Sequence, residues 1–269
     1  MSLPSPDPQA TVLITGASSG IGEELARQLG ARGHHLTLVA RRKERLETLA
    51  KEIHSASGVD VDVRKADLSV QAQRTRLINA LRDGERRVDG VCNNSGFSTY
   101  GRFQDLPVEG ELEQVRVNVS ALHELTAAFV GAMVERRRGA ILNVASIAGF
   151  QPLPSQATYG ATKAFVVSFS EALHTDLHGT GVSCTALCPG PVRTEFTQVA
   201  GMTDLDDTGP EFVWLQAHDV AKAGIEGMVR GKRVVFPSLV HQAAAMGGRF
   251  APRSVFLPLA TRFGPQSGR

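Results

Sequence analysis

Tyr159 and Lys163 stand four residues apart, so on a helix their side chains share one face. A free phenol titrates at about 10, too high to trade protons readily near neutrality. A neighbouring ammonium favours the phenolate and lowers that value, which would let Tyr159 serve as a general acid or base. Tyr/Lys pairs at this spacing are commonly plain surface pairs, and Ser146 is what argues otherwise. It ends an apolar run that reads as a strand, and ligands of open α/β sheets bind at that edge. A hydroxyl opposite a phenol suits a substrate oxygen that gains or loses a proton.

A second group of residues suits phosphate. The run Thr-Val-Leu-Ile-Thr leads into Gly16-Ala17-Ser18-Ser19-Gly20-Ile21-Gly22 and then into a helical pattern. Such a turn lets backbone N–H groups approach a pyrophosphate, and the helix N-terminus favours its charge. The hydroxyls of Ser18 and Ser19 can donate as well. The alternative is an ordinary strand-to-helix loop, since glycine turns are common. The next strand ends Val39-Ala40-Arg41-Arg42, without the acid that would take the ribose hydroxyls of NAD. Arg41 there suits a 2′-phosphate, so NADP(H) is expected over NAD(H). A solvated basic helix start is the competing explanation, because Arg41, Arg42, Lys43 and Arg45 cluster.

The elements that would position these groups alternate regularly. Strands are expected at 11–15, 35–40, 59–64, 88–92, 140–145, 182–187 and 233–236. Helical spacing fills 21–31, 43–55, 70–82, 111–136, 159–177 and 219–230. Continuous apolar strands in β-then-α order predict right-handed crossovers and a single-domain, doubly wound parallel α/β sheet of about seven strands, of Rossmann type. A core domain over residues 11–236 is expected, preceded by a flexible N-terminus (1–10) and followed by an extension (237–269).

The glycine turn and Tyr159-Gly160-Ala161-Thr162-Lys163 together resemble the short-chain dehydrogenase/reductase family. Further motifs match in order: Ala66-Asp67-Leu68, Cys92-Asn93-Asn94-Ser95-Gly96, Asn118, Ser146, and Cys188-Pro189-Gly190-Pro191-Val192-Arg193-Thr194. Ser95 departs from the family's usual alanine but keeps a small residue. The resemblance covers residues 10–236 and leans toward 3-oxoacyl and hydroxysteroid reductases. It implies that Ser146 bonds a substrate carbonyl, Tyr159 moves the proton, Lys163 holds the nicotinamide ribose, and Asn118 feeds a water relay. It also implies cofactor contacts at Asp67, Leu68, Asn94, Gly96, Pro189, Gly190, Val192 and Thr194, and self-association as a dimer or tetramer through 111–136 and 159–177. A segment over 192–216, with Phe196, Met202, Phe212, Trp214 and Leu215, would cover the substrate. Phe97, Phe150 and Leu153 could line the same cleft, which favours a hydrophobic ketone or aldehyde, though core packing would look alike.

Composition bounds the rest. The 269 residues carry a formal net charge of +2, too weak to suggest a nucleic-acid partner. Three cysteines argue against a disulfide scaffold, and with no signal-peptide pattern a soluble cytoplasmic protein is expected. No run of 18 apolar residues appears. Seven bases and no acid lie in residues 230–269, leaving 22 bases against 27 acids before them. That basic, partly apolar tail either folds back on the body or a second subunit, or meets a membrane surface or acidic partner. His174 and His178 lack a third ligand, so no metal is expected. The rival functions are an oxidising alcohol dehydrogenase and a non-catalytic dinucleotide sensor.

Overall fold

The computed structural model describes residues 3–200 and 211–262. Along the chain run β1 (Ala10–Thr15), α1 (Gly20–Ala31), β2 (Leu36–Ala40), α2 (Lys43–Ser57), β3 (Val61–Lys65), α3 (Gln71–Arg82) and β4 (Arg87–Asn93). Then come α4 (Val108–Val115), α5 (Leu122–Glu135), β5 (Gly139–Val144), α6 (Ala157–Asp176) and β6 (Val182–Leu187). The chain continues through β7 (Val192–Arg193), α7 (Phe196–Val199), β8 (Leu215–Gln216), α8 (Ala217–Val229), β9 (Val234–Val235), α9 (Leu239–Phe250) and α10 (Arg253–Arg262). Seven strands form one parallel sheet in the order β3-β2-β1-β4-β5-β6-β9, and β7 pairs with β8 apart from it. The order reverses beside β1, so the ends of β1 and β4 diverge and open a crevice there.

Alternation along each strand fills both faces. Val12 and Ile14 of β1 join Leu25, Leu29, Leu46, Ile225 and Met228 on the side of α1, α2 and α8. Leu13 points the other way, into Leu77, Leu125, Phe129, Met133 and Ile141 beneath α3 and α5. Each fully buried Leu or Ile contributes about 1.5–3 kcal/mol, which is why the middle of β1, Val12-Leu13-Ile14, is apolar on both faces. The edge strand β3 departs from the expected continuous apolar run. Val61 and Val63 turn inward, whereas Asp62, Arg64 and Lys65 are exposed, as suits an edge that must discourage pairing.

Two other expectations change. The single helix expected over 111–136 starts at Val108 and is broken by a π-turn at Arg116–Ala121, a feature frequent at functional sites and invisible to 3.6-residue spacing. The helical stretch 108–135 also meets the length and apolarity of a membrane span, but its Leu125, Phe129 and Met133 are buried against the sheet. The N-terminus is pinned instead of flexible from Leu3 onward. Leu3 joins the core and its N–H reaches Met228 O at 3.0 Å, while Asp7 pairs with Arg87. Just past α5, Arg136 and Arg138 reach the buried carboxylate of Asp89, at 3.3 and 2.7 Å.

The extension folds back. Ala245 of α9 packs with Phe150, Val166 and Cys188 in a third apolar cluster. The buried ring of His241 bridges Ser238 Oγ (2.6 Å) and Val213 O (3.0 Å). It presses so closely on Gly190 that a Cβ there would lie 1.9 Å from the ring, so only glycine fits.

Candidate active site

The glycine turn is tight for a steric reason. Gly16 and Gly20 have φ of +65° and +58°, and a Cβ on Gly22 would fall 2.3 Å from Gly16 O. Thr15 Oγ1 accepts the N–H of both Asn94 and Ser95 (3.0 Å each), and Asn94 Nδ2 donates to Thr15 O at 2.9 Å. The end of β4 thus braces the turn at the end of β1. Ser18 and Ser19 sit there with their hydroxyls accepting from Arg42, at 3.1 Å to Ser18 Oγ and 2.7 Å to Ser19 Oγ. Arg41, the residue expected in that place, is instead 66% exposed and lies 3.7 Å from Glu113. Both arginines border the cavity, but it is Arg42 that turns onto the glycine loop. Asp67 and Leu68 lie on the same wall; Asp67 accepts from Ser69 N (2.9 Å) and Oγ (2.7 Å). Burial alone would raise the Asp67 carboxyl, yet these bonds from Ser69 and the charge of Arg41 bring it below its ordinary value.

At the other end of the cavity, Ser146 caps the turn Ile147–Phe150, accepting from Ala148 N (3.1 Å) and donating toward Pro189 O (3.4 Å). Lys163 projects from α6 beneath the β5 terminus, where Nζ donates to Val144 O at 2.8 Å and lies 5.7 Å from the Tyr159 ring centre. Asn118, on the π-turn, is buried; its Oδ1 accepts from Phe97 N (3.1 Å) and its Nδ2 donates to Phe97 O (3.0 Å) and Thr162 Oγ1 (3.1 Å). A Cβ on Gly96 would lie 3.1 Å from Asn118 Oδ1 and 3.5 Å from Lys163 Nζ, so both polar atoms look onto that glycine.

Burial dominates the electrostatics here. It pushes the Tyr159 phenol up to about 12, opposed only in part by the hydrogen bond with Ser146. It pulls Lys163 down to about 8, with Cys188 opposing. The expected lowering of the phenol by the ammonium does not appear: burial sets the direction, and Ser146 is the group that opposes it.

One cavity of about 700 Å³ joins the two ends. Its lining includes Gly16, Gly20, Ile21, Asn94, Gly96, Pro189, Gly190, Val192 and Thr194. Leu153, Phe97, Phe196 and Trp214 also line it, with the Phe196 ring 5.6 Å from that of Tyr159 and Arg193 stacked over Trp214 at 5.7 Å. Phe150 does not: it is buried against Phe236, 5.5 Å away, as part of the core. Met202 and the side chain of Phe212 lie outside the described residues. Sequence reading missed Arg42 as the turn's partner and Glu195 beside it; only the twofold alternation after β2 could have suggested the first.

The family model of the short chain dehydrogenases matches residues 10–204. The chain belongs to that family. It is 34% identical to a short-chain dehydrogenase from Sphingobium yanoikuyae solved in complex with NADPH, with a TM-score of 0.81 over 97% of this chain and 98% of that one. A bulky-bulky ketone specific alcohol dehydrogenase from Comamonas testosteroni is 30% identical, with a TM-score of 0.76 over 98% of both chains. Sulfoacetaldehyde reductase 2 of Chromohalobacter salexigens is 38% identical over 222 residues, 78% of this chain and 85% of that protein. The protein is therefore an NAD(P)-dependent oxidoreductase of the short-chain type.

Proposed function

We propose that this protein reduces a hydrophobic, uncharged ketone or aldehyde with NADPH. The observation that carries this reading is the continuity of one cavity from Arg42, Ser18 and Ser19 to Ser146, Tyr159 and Lys163. The glycine turn fits a pyrophosphate because its close approaches leave no room for side chains. Arg42, with Arg41 outside it, suits a 2′-phosphate. Asp67 and Leu68 suit the adenine end; Asn94, Gly96, Lys163, Pro189, Gly190, Val192 and Thr194 suit the nicotinamide half. The NADPH complex of the Sphingobium relative supports the same choice of cofactor.

When bound, the dinucleotide supplies a hydride. The protein's own work is positional and protonic. Ser146 holds the substrate oxygen by a hydrogen bond, and Tyr159 passes its phenolic proton to that oxygen as the alcohol forms. A phenol near 12 carries its proton at neutral pH, so Tyr159 has one to give to the forming alkoxide. Lys163 holds the ribose and, with Asn118 through water, returns a proton to Tyr159. Among the described lining residues the cations are Arg41, Arg42 and Lys163, all on the cofactor side, and the wall at Phe97, Leu153, Phe196 and Trp214 is apolar, with Arg193 stacked over the Trp214 ring.

We also propose a homodimer or homotetramer built on α5 and α6, where Phe165 is exposed and stacks on Phe169 at 5.7 Å. NADPH consumption measured across neutral ketones and aldehydes tests the main proposal. Turnover that Tyr159→Phe abolishes is expected. Alcohol oxidation alone, or NADPH binding without turnover on any carbonyl, would overturn it.

A further inference from the structure

Glu195 ties the start of α7 to the start of α2, across some 150 residues of chain. Its Oε2 accepts from Arg42 Nη1 and its Oε1 from Arg45 Nη1, each at 2.6 Å. Arg42 spends its other edge on the Ser18 and Ser19 hydroxyls, so every edge of that guanidinium is engaged. The two cations hold the Glu195 carboxyl down at about 2, so it is ionised at any working pH. Arg42 and Glu195 both border the cavity beside the glycine turn. The neighbours of Glu195 reach the rest of the site: the Thr194 methyl abuts Gly20, and the Phe196 ring abuts Tyr159.

A carboxylate bridging two guanidiniums next to two hydroxyls is the same recognition chemistry a phosphate monoester uses. We propose that Glu195 is a specificity-determining residue, an internal anion that competes with the 2′-phosphate of NADP(H) for Arg42 and Arg45. This rests on the cofactor reading above and goes beyond it. To seat a phosphate dianion on Arg42, the protein must either release Glu195 or place two anions side by side, and both weaken binding. Affinity for NADP(H) is therefore held below what the cations alone would give, whereas NAD(H), lacking the phosphate, is indifferent to Glu195.

The test is equilibrium binding, independent of turnover. Trp214 is the single tryptophan and lines the cavity, so its fluorescence reports occupancy by NADPH, NADH and adenosine 2′,5′-bisphosphate. Glu195→Gln keeps the shape and one acceptor while removing the charge. It should tighten NADPH and the bisphosphate about tenfold and leave NADH within about twofold, as expected when like charges no longer face each other. In an Arg42→Ala background the gain from Glu195→Gln should shrink, because the contested cation is gone. Wild-type protein binding NADH and NADPH equally would overturn the cofactor reading and this proposal with it. A wild-type preference for NADPH that Glu195→Gln leaves unchanged, or lowers, would overturn this proposal alone.

Discussion

At the glycine-turn end of the cavity, Arg42 and Glu195 are about 40% exposed and meet face to face, and their charges are held by partners. At the opposite end, Lys163 is buried and Tyr159 half-buried, and the shifts of both are set by desolvation more than by pairing. Solvent softens a charge at the first end, so several cations can crowd there at little cost. At the second end one ammonium and one phenol suffice, because low dielectric magnifies each. A single cavity thus joins an end where charges are paired near solvent to an end where burial governs ionisation.

Four substitutions would break or sharpen that contrast. The largest effect is expected at the buried end. Tyr159→Phe should lower turnover by about 10³-fold or more, the scale of a lost general acid, while NADPH affinity stays close to wild type. Single-turnover rates and binding titrations check the two halves separately.

Lys163→Met probes burial directly. The folded-state value of Lys163 is depressed to about 8 from its ordinary 10.5, so between these values the unfolded chain binds the extra proton. Wild-type stability therefore rises with pH through that window, and at neutral pH the buried ammonium is a net cost. Without cofactor, Lys163→Met should be more stable at pH 7 by about 2–3 kcal/mol, an advantage that fades by about pH 10.5. Denaturant melts at several pH values decide it; a pH-independent difference would contradict the desolvation account.

Arg42→Ala should weaken NADPH by about 10- to 100-fold and NADH by far less, the range of a lost charge-assisted contact to phosphate. Arg41→Ala should change NADPH affinity by less than about threefold, since an exposed cation contributes little through solvent. The two dissociation constants, measured side by side, test which neighbour was placed correctly. Equal effects would mean that Arg41 swings inward when the cofactor binds.

Much of the site was legible without coordinates because it rests on local rules. A four-residue spacing puts Tyr159 and Lys163 on one face of any helix, and a glycine-rich turn between a strand and a helix offers backbone N–H groups to a pyrophosphate. The β/α alternation likewise announced the parallel sheet. Where expectation failed, a decision between near-equivalent neighbours or distant partners was involved. Phe150 and Phe97 both follow strand ends, but only packing against Phe236 sends one to the core. The π-turn that presents Asn118 leaves no mark on helical periodicity.

Sequence by itself determined the fold class and the family, and it nominated Ser146, Tyr159 and Lys163 as candidates for moving a proton, since these readings depend on residue type and short spacing. Tertiary structure alone decided that Arg42 and not Arg41 turns onto Ser18 and Ser19, that Glu195 meets Arg45 at a separation of 150 positions, and that His241 closes on Gly190. Those outcomes depend on which way adjacent side chains point as a twisted strand ends, and on how distant segments pack. Neither is encoded in any local run of residues.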